Sequence, residues 1–110
     1  MTDKRIVLST AGSEDEARKI ARELVERRLA ACVNIIPQIE SIYRWQGNVE
    51  SAQEWLLLIK TTAERFAAVR DAIRELHSYE LPECIAIKVE DGSAEYLKWI
   101  ADAVKKKEPM

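Results

Sequence analysis

The hydrophobic pattern of the chain alternates between short apolar runs and amphipathic stripes. Residues Lys4 to Thr10 form a short β-branched run that stops at Ala11-Gly12, which predicts the first strand. A helix is predicted to begin at Ser13, because Glu16 stands three residues later and completes a capping box. Apolar residues then recur at the spacing of one buried helix face: Ala17, Ile20, Ala21, Leu24 and Val25.

A long hairpin is predicted in the middle of the chain. Its first strand runs from about Ala31 to Trp45 and is interrupted at Pro37, which cannot donate a ladder hydrogen bond and therefore indicates a bulge or a bend. Gly47-Asn48 supplies the turn, since both residues tolerate positive φ. The returning strand, Glu54 to Lys60, carries four consecutive aliphatic residues, so both of its faces are expected to be buried.

The rest of the chain adds a helix, a strand and a last helix. Thr61 and Glu64 match a second capping box, ahead of a helix that is predicted to end near His77. A fourth strand is expected over residues 84–89, and a final helix with an inward stripe of Tyr96, Leu97, Ile100, Ala101 and Val104. This order is that of the α+β, ferredoxin-like split βαβ fold, with an antiparallel sheet, helices on one face and an extra C-terminal helix.

A sheet of this kind would expose a large apolar face. Its central strands are the first and the third, which read IVL and LLLI, whereas soluble monomers rarely carry so large a hydrophobic patch. Subunits are therefore expected to pack sheet against sheet, with the overhanging hairpin from Ile39 to Ala52 reaching a neighbour. Ile39, Tyr43 and Trp45 fall on one side of that hairpin. Trp45 and Ile39 are the predicted interface anchors, since large aromatics dominate protein contacts.

Composition and charge narrow the class of protein. The 110 residues fit one domain, 1–110, of a size that buries about two thirds of its unfolded surface. The 17 basic and 19 acidic side chains are interleaved and nearly balance, so nucleic acid is not an expected partner. No apolar run is long enough for a membrane span, and the N-terminus lacks the apolar core of a signal peptide, which predicts a cytoplasmic protein. Cys32 and Cys84 are expected to be reduced thiols.

Five segments carry a resemblance to a known family: AACVN, IYRWQG, IKTT, LHSYELPE and EYLKW. In this order and at these spacings, from Val7 to Ile100, the chain resembles the CutA family of divalent-cation tolerance proteins. The resemblance implies a tight, PII-like homotrimer and a cytoplasmic metal-tolerance protein that binds copper. One position departs from it: Ser78 stands where members of the family usually have a proline that imposes a rigid turn. This chain also lacks the second His or additional Cys that some members carry near the proposed copper site.

Three side chains are the candidate metal ligands. His77 is the only histidine, and imidazole is the commonest transition-metal ligand, although a helix C-terminus also favours an imidazolium. Cys32 is a thiolate candidate for copper(I) or a small core hydrophobe. Glu83 is a ligand for a hard metal, a partner for Lys60 or a solvated strand end. Copper or another divalent cation is the expected ion, and no organic cofactor is expected.

A small-ligand pocket is predicted from Lys60, Tyr79 and Tyr43. Lys60 directly precedes a helix N-terminus, where an ammonium and free amides can hold an anion, and the alternative is an ordinary solvated strand end. Tyr79 serves either core or interface packing or ligand stacking. The pocket is expected where subunits meet.

Three classes of function follow. The first, which we prefer, is a trimeric metal-responsive or ligand-binding protein without turnover. The second is an enzyme that uses His77 as acid or base, but the sequence contains no nucleophile-base spacing, phosphate loop or metal motif. The third is a PII-like signalling protein that binds a small anionic ligand at the subunit interface, although the hairpin has no glycine-rich loop.

Overall fold

The computed structural model describes residues 2 to 106. Met1 and residues 107 to 110, which the one-domain prediction includes, lie outside the described part. Four strands and three helices follow one another in the predicted order: β1 (Lys4–Ala11), α1 (Glu14–Glu26), β2 (Cys32–Trp45), β3 (Asn48–Thr62), α2 (Phe66–Leu76), β4 (Ile85–Lys88) and α3 (Ala94–Ala103). No helix within residues 2 to 106 is both long and apolar enough to span a membrane.

The strands form one antiparallel sheet in the order β2-β3-β1-β4. The predicted central strands, β1 and β3, are therefore confirmed, and so is the mixed α+β fold. The main core lies between one face of the sheet and helices α1 and α2. Its fully buried aliphatic residues come from both layers: Val7, Leu57, Ile59, Ile20, Leu24, Val69 and Ile73.

The first strand of the hairpin, β2, has 14 residues and agrees closely with the predicted Ala31 to Trp45. The returning strand β3 has 15 residues, Asn48–Thr62, and is longer at both ends than the predicted Glu54 to Lys60, because pairing with β2 continues to the tip of the hairpin. The ladder shifts register between Ile36 and Ile39, which confirms the bulge at Pro37. The tip lies one residue earlier than predicted. Gln46 and Gly47, both with positive φ, form the two-residue loop, and Asn48 already pairs with Trp45. Positive φ at both loop residues is typical of the type I′ turn that joins twisted strands.

The second face of the sheet, here called the open face, is apolar and little covered. Side chains alternate along a strand, so the neighbours of the core residues point to this face. The register aligns Leu58, Leu8 and Ile85 across three strands, and Leu56 beside Ile36. Ile85 is 55% exposed and Ile36 is 41% exposed. The fold thus leaves on its surface the apolar face that the sequence predicts.

Helix α3 covers only one end of the open face. Ile100 of α3 and Val104, which follows the helix as its C-cap, are buried beside Ala31, as predicted, in a cluster separate from the main core. Tyr96 was expected to point inward, but it is 42% exposed. It packs beside the Lys60 side chain, which alternates with core residues of β3 and therefore points to the open face.

The two predicted capping boxes have different outcomes. Ser13 caps α1 as expected, because its hydroxyl accepts a hydrogen bond from the Glu16 amide. The capping box of Thr61 and Glu64 is wrong. Thr61 lies inside β3 and donates its hydroxyl to the Leu29 carbonyl at 2.6 Å, while α2 begins after Arg65 without a side-chain cap. The Thr61 hydroxyl therefore bonds a carbonyl of the loop between α1 and β2 instead of an amide of α2.

Candidate functional site

The chain turns sharply after α2, at the only histidine. His77 ends the helix in an extended conformation, and its side chain is fully buried. Its Nε2 lies 2.6 Å from the Thr10 carbonyl oxygen, so this nitrogen carries a proton and donates it. Its Nδ1 lies 3.0 Å from the Tyr79 amide and 2.9 Å from Glu16 Oε1. Both ring nitrogens therefore have partners inside the chain.

The sharp turn at residues 77–79 is here called the corner. Ser78 stabilises it at the protein surface. Its backbone N–H and its hydroxyl both donate to Glu16 Oε1, each at 3.1 Å. A proline at this position would have no N–H to donate. The turn that proline imposes by its ring is here held by hydrogen bonds to a carboxylate on α1.

Tyr79 connects the corner to the hairpin. Its hydroxyl donates to Glu54 Oε2 at 2.8 Å, and its ring packs on that of His77 with centroids 4.5 Å apart. Glu54 is only 7% exposed. Burial and the neighbouring Glu54 carboxylate raise the pKa of the Tyr79 phenol, so Tyr79 stays a neutral donor at physiological pH.

An open cleft of about 880 Å³ lies between the hairpin and the segment that follows Tyr79. Three aromatic side chains line it, Tyr43, Trp45 and Tyr79. Four carboxylates also line it, Glu50, Glu54, Glu80 and Glu83. Among the described residues, no lysine, arginine or histidine does so. The cleft is therefore a region of negative potential with aromatic walls.

The pKa of Glu83 reflects the burial and the negative charge in this cleft. Burial, and then the charge of Glu54, raise the pKa of the Glu83 carboxyl above its usual range. Desolvation and a second carboxylate both disfavour the ionised form. A cation in the cleft would favour the ionised form of Glu83, whereas an anion would disfavour it further.

Cys32 and Lys60 lie elsewhere, as neighbours across the β2 and β3 ladder. Lys60 Nζ is 3.3 Å from the Tyr96 hydroxyl and 5.5 Å from the centre of its ring. Lys60 is six residues from Glu54 on one strand, which is about 20 Å at the usual rise per residue. The Cys32 thiol has only a long contact, 3.8 Å, to Asn34 Oδ1.

The predicted site residues therefore fall into two groups within one chain. Tyr79, Tyr43 and Glu83 line the cleft, with His77 buried behind Tyr79. Cys32 and Lys60 belong to the other end of the sheet. Residues 2 to 106 hold no group of three or more His, Cys, Asp or Glu side chains arranged for a metal ion. His77, Cys32 and Glu83 of a single chain do not fit together around one copper ion.

Trp45 and Ile39 are the predicted interface residues. Both belong to the hairpin, and Trp45 is 37% exposed although it is a large aromatic. The ladder pairs Ile39 with Glu54, Tyr43 with Glu50 and Trp45 with Asn48, so all three side chains share the face of the cleft.

Sequence reasoning missed four contributors to this region: Glu16, Glu50, Glu54 and Thr10. Glu54 had a signal, because it is a single carboxylate two residues before the aliphatic run of β3, at a position that alternation places on the open face. Glu16 was assigned only to a helix cap. The contact between Glu16 and Ser78 spans 62 positions in sequence, and no local pattern predicts it.

The chain is similar to proteins of one known family. Residues 5–103 match the family model described as CutA1 divalent ion tolerance protein. The divalent-cation tolerance protein CutA of Thermus thermophilus is 50% identical over 99 residues, which cover 90% of this chain and 96% of that protein.

Two solved structures have the same fold. CutA from Xylella fastidiosa has a TM-score of 0.93 and 44% identity, covering 94% of this chain and 100% of that one. The structure described as the periplasmic divalent cation tolerance protein CutA from Archaeoglobus fulgidus has a TM-score of 0.90 and 44% identity, covering 93% and 99%. These matches confirm the resemblance seen in the sequence: the chain belongs to the CutA1 family of divalent ion tolerance proteins.

Proposed function

We propose that this chain is a homotrimeric divalent-cation tolerance protein that binds copper or another divalent cation without catalytic turnover. Membership of the CutA1 family supports the role in cation tolerance. The observation that carries the choice of a cation as ligand is the acidic cleft, with four carboxylates and no basic side chain among its described lining residues.

The trimer in this proposal is supported by the open face. Leu8, Leu56 and Leu58 are only partly covered by their own chain, and Ile85 and Ile87 are 55% and 47% exposed. Contiguous apolar surface of this kind is typical of an interface between protein molecules. The aromatic residues Tyr43 and Trp45 extend the same face along the hairpin, which supports the predicted role of the hairpin in contacting a neighbour.

The cation is proposed without a complete set of ligands from one chain. His77, Cys32 and Glu83 remain the predicted ligands, but they do not meet within one subunit, so a site that uses them together needs groups from a second subunit. Glu83 has the most suitable surroundings, because it lines the cleft and its charged form is disfavoured until a positive charge is near.

The alternative, a small anionic ligand, has less support. Tyr43 and Tyr79 of the predicted ligand pocket lie among carboxylates, which repel an anion. Lys60 is the one basic member of that pocket, and it lies at the other end of β3 against Tyr96. An anion at Lys60 would therefore contact neither tyrosine of the pocket.

Calorimetric titration of untagged protein tests the function. We expect saturable copper binding that weakens as pH falls, because protonation removes the negative charge of a carboxylate ligand and occupies the donor lone pair of an imidazole ligand. Glu83→Gln should reduce the affinity. Glu14→Gln should not, since it removes the same charge from an exposed position of α1 that pairs with Arg18. Separate titration of His77→Ala and Cys32→Ser shows whether either side chain is a ligand. Absence of saturable binding with copper and every other divalent cation, together with binding of a small anion, would replace the proposal with its alternative.

The cytoplasmic location predicted from the N-terminal sequence remains part of the proposal. The relative from Archaeoglobus fulgidus is named as a periplasmic protein. Cell fractionation with an antibody against the untagged protein separates the two compartments.

A further inference from the structure

One oxygen atom connects α1 to the corner that follows α2. Glu16 Oε1 accepts hydrogen bonds from the Ser78 N–H and the Ser78 hydroxyl, and it also lies 2.9 Å from His77 Nδ1. The Glu16 side chain is mostly buried, with 19% exposure. Hydrogen bonds to a partly desolvated carboxylate are stronger than those between neutral groups.

The corner has few other attachments. The segment from Ser78 to Cys84 contains no regular helix or strand, and Ser78, Glu80 and Leu81 are exposed. His77 fixes the start of the segment through the Thr10 carbonyl. The two donors of Ser78 have no other protein partner among the described residues, so loss of Glu16 would leave both of them to water.

Tyr79 is the residue that follows Ser78. Its N–H donates to His77 Nδ1, its ring lies on the His77 ring, and its hydroxyl donates to Glu54 in the cleft. Because Ser78 precedes Tyr79 in the chain, a change in the Ser78 backbone would shift the point from which the Tyr79 ring leaves it. Glu16 is thus connected to the cleft in three steps: Ser78 donates to Glu16, the peptide bond joins Ser78 to Tyr79, and the Tyr79 hydroxyl donates to Glu54.

We propose that Glu16 is a positioning residue, whose carboxylate fixes Ser78 and thereby holds the Tyr79 hydroxyl on Glu54 at the wall of the cleft. This role concerns the geometry of the cleft and does not depend on a bound cation.

Amide hydrogen exchange and nuclear Overhauser contacts, measured by NMR on the full chain without added metal, test the proposal. The Ser78 amide should exchange slowly although Ser78 is exposed. A Cβ built on Gly12 would lie 2.8 Å from the Tyr79 hydroxyl oxygen, so the Gly12 α protons should show a contact to the Tyr79 ring. In Glu16→Ala the Ser78 amide should exchange on the order of tenfold to a hundredfold faster, and the contact should be lost.

Two further variants separate positioning from general destabilisation. Glu16→Gln keeps a side-chain oxygen that accepts from Ser78, so it should restore most of the protection and the Tyr79 contact. Glu14→Ala removes a neighbouring carboxylate of the same helical turn and should change neither readout. Retention of both signals in Glu16→Ala overturns the proposal. If Glu16→Ala does not fold, a Ser78 amide in the parent that exchanges at the rate of an unbonded exposed amide overturns it equally.

Discussion

Two buried hydroxyl groups in the core have opposite hydrogen-bonding states. Thr61 donates to the Leu29 carbonyl at 2.6 Å, whereas Ser9 is fully buried and its Oγ has no partner in the described protein. An unsatisfied buried polar group costs free energy, and a satisfied one supports the group that it bonds. Thr61 and Ser9 therefore allow the free-energy effect of a satisfied buried hydroxyl to be compared with that of an unsatisfied one.

Substitution of these hydroxyls should change stability in opposite directions. Ser9→Ala removes an unsatisfied group and is expected to raise the free energy of unfolding by up to about 1 kcal/mol. Thr61→Val keeps the shape but leaves the Leu29 carbonyl unpaired, and is expected to lower it by about 1 to 3 kcal/mol. Urea denaturation of both variants measures the two changes. A Ser9→Ala variant that is clearly less stable than the parent would mean that Ser9 has a partner in solution.

Glu83 gives the stability of the chain a pH dependence of known sign. Its pKa is raised in the folded state, so its protonated form stabilises the fold below the unfolded pKa, and this contribution is lost as pH rises through the folded pKa. At neutral pH the ionised Glu83 is therefore destabilising. Glu83→Gln is expected to be more stable than the parent at neutral pH, with a difference that shrinks as pH falls below the carboxyl range.

Denaturation midpoints across that pH range test the prediction. Glu80→Gln, in the same segment but exposed, is the control and should show a smaller effect. A pH-independent difference between parent and Glu83→Gln would show that the carboxyl charge is not the cause.

At the residue level the sequence predicted some of the site and missed the rest for a physical reason. Chemistry-bearing side chains such as His77 and Glu83 are visible as residue types, but their partners come from distant positions. His77 is bonded to Thr10, and Tyr79 to Glu54, 67 and 25 positions apart. Sequence spacing does not encode such contacts, so the buried state of His77 became visible only in the folded chain.

The secondary structure elements were predictable wherever a local rule acts alone. The bulge at Pro37 and the cap at Ser13 follow from the missing N–H of proline and from a side-chain oxygen at a helix start. The false cap at Thr61 shows the limit of such rules. Its motif satisfies the local pattern, but the strand continues through it and the hydroxyl bonds Leu29 instead.

The two capping motifs should therefore respond differently to mutation. Ser13→Ala removes the acceptor for the Glu16 amide and is expected to cost about 1 kcal/mol of stability. Glu64→Ala removes an exposed side chain that caps nothing and should change stability by less than about 0.5 kcal/mol. Thermal or urea denaturation compares them. If both variants lost the same free energy of unfolding, Glu64 would have a capping role after all.

At the scale of the whole molecule, the order of elements and the apolar central strands predicted both the fold and its open face. The strand order β2-β3-β1-β4 follows from the predicted topology, and the aliphatic run of β3 explains why one side of it enters the core while Leu56 and Leu58 point to the other. The same aromatic hairpin residues that extend the open face also line the acidic cleft, so assembly and ligand access concern adjacent surfaces.

Sedimentation equilibrium of the untagged protein at micromolar concentration tests the central claim most directly. Because burial of the open face in the proposed trimer would contribute a large apolar term to stability, we expect a single species of three times the chain mass, 12.6 kDa, without dissociation on dilution through that range. A folded monomer under these conditions would contradict the account, since the open face would then be exposed to water in the stable protein.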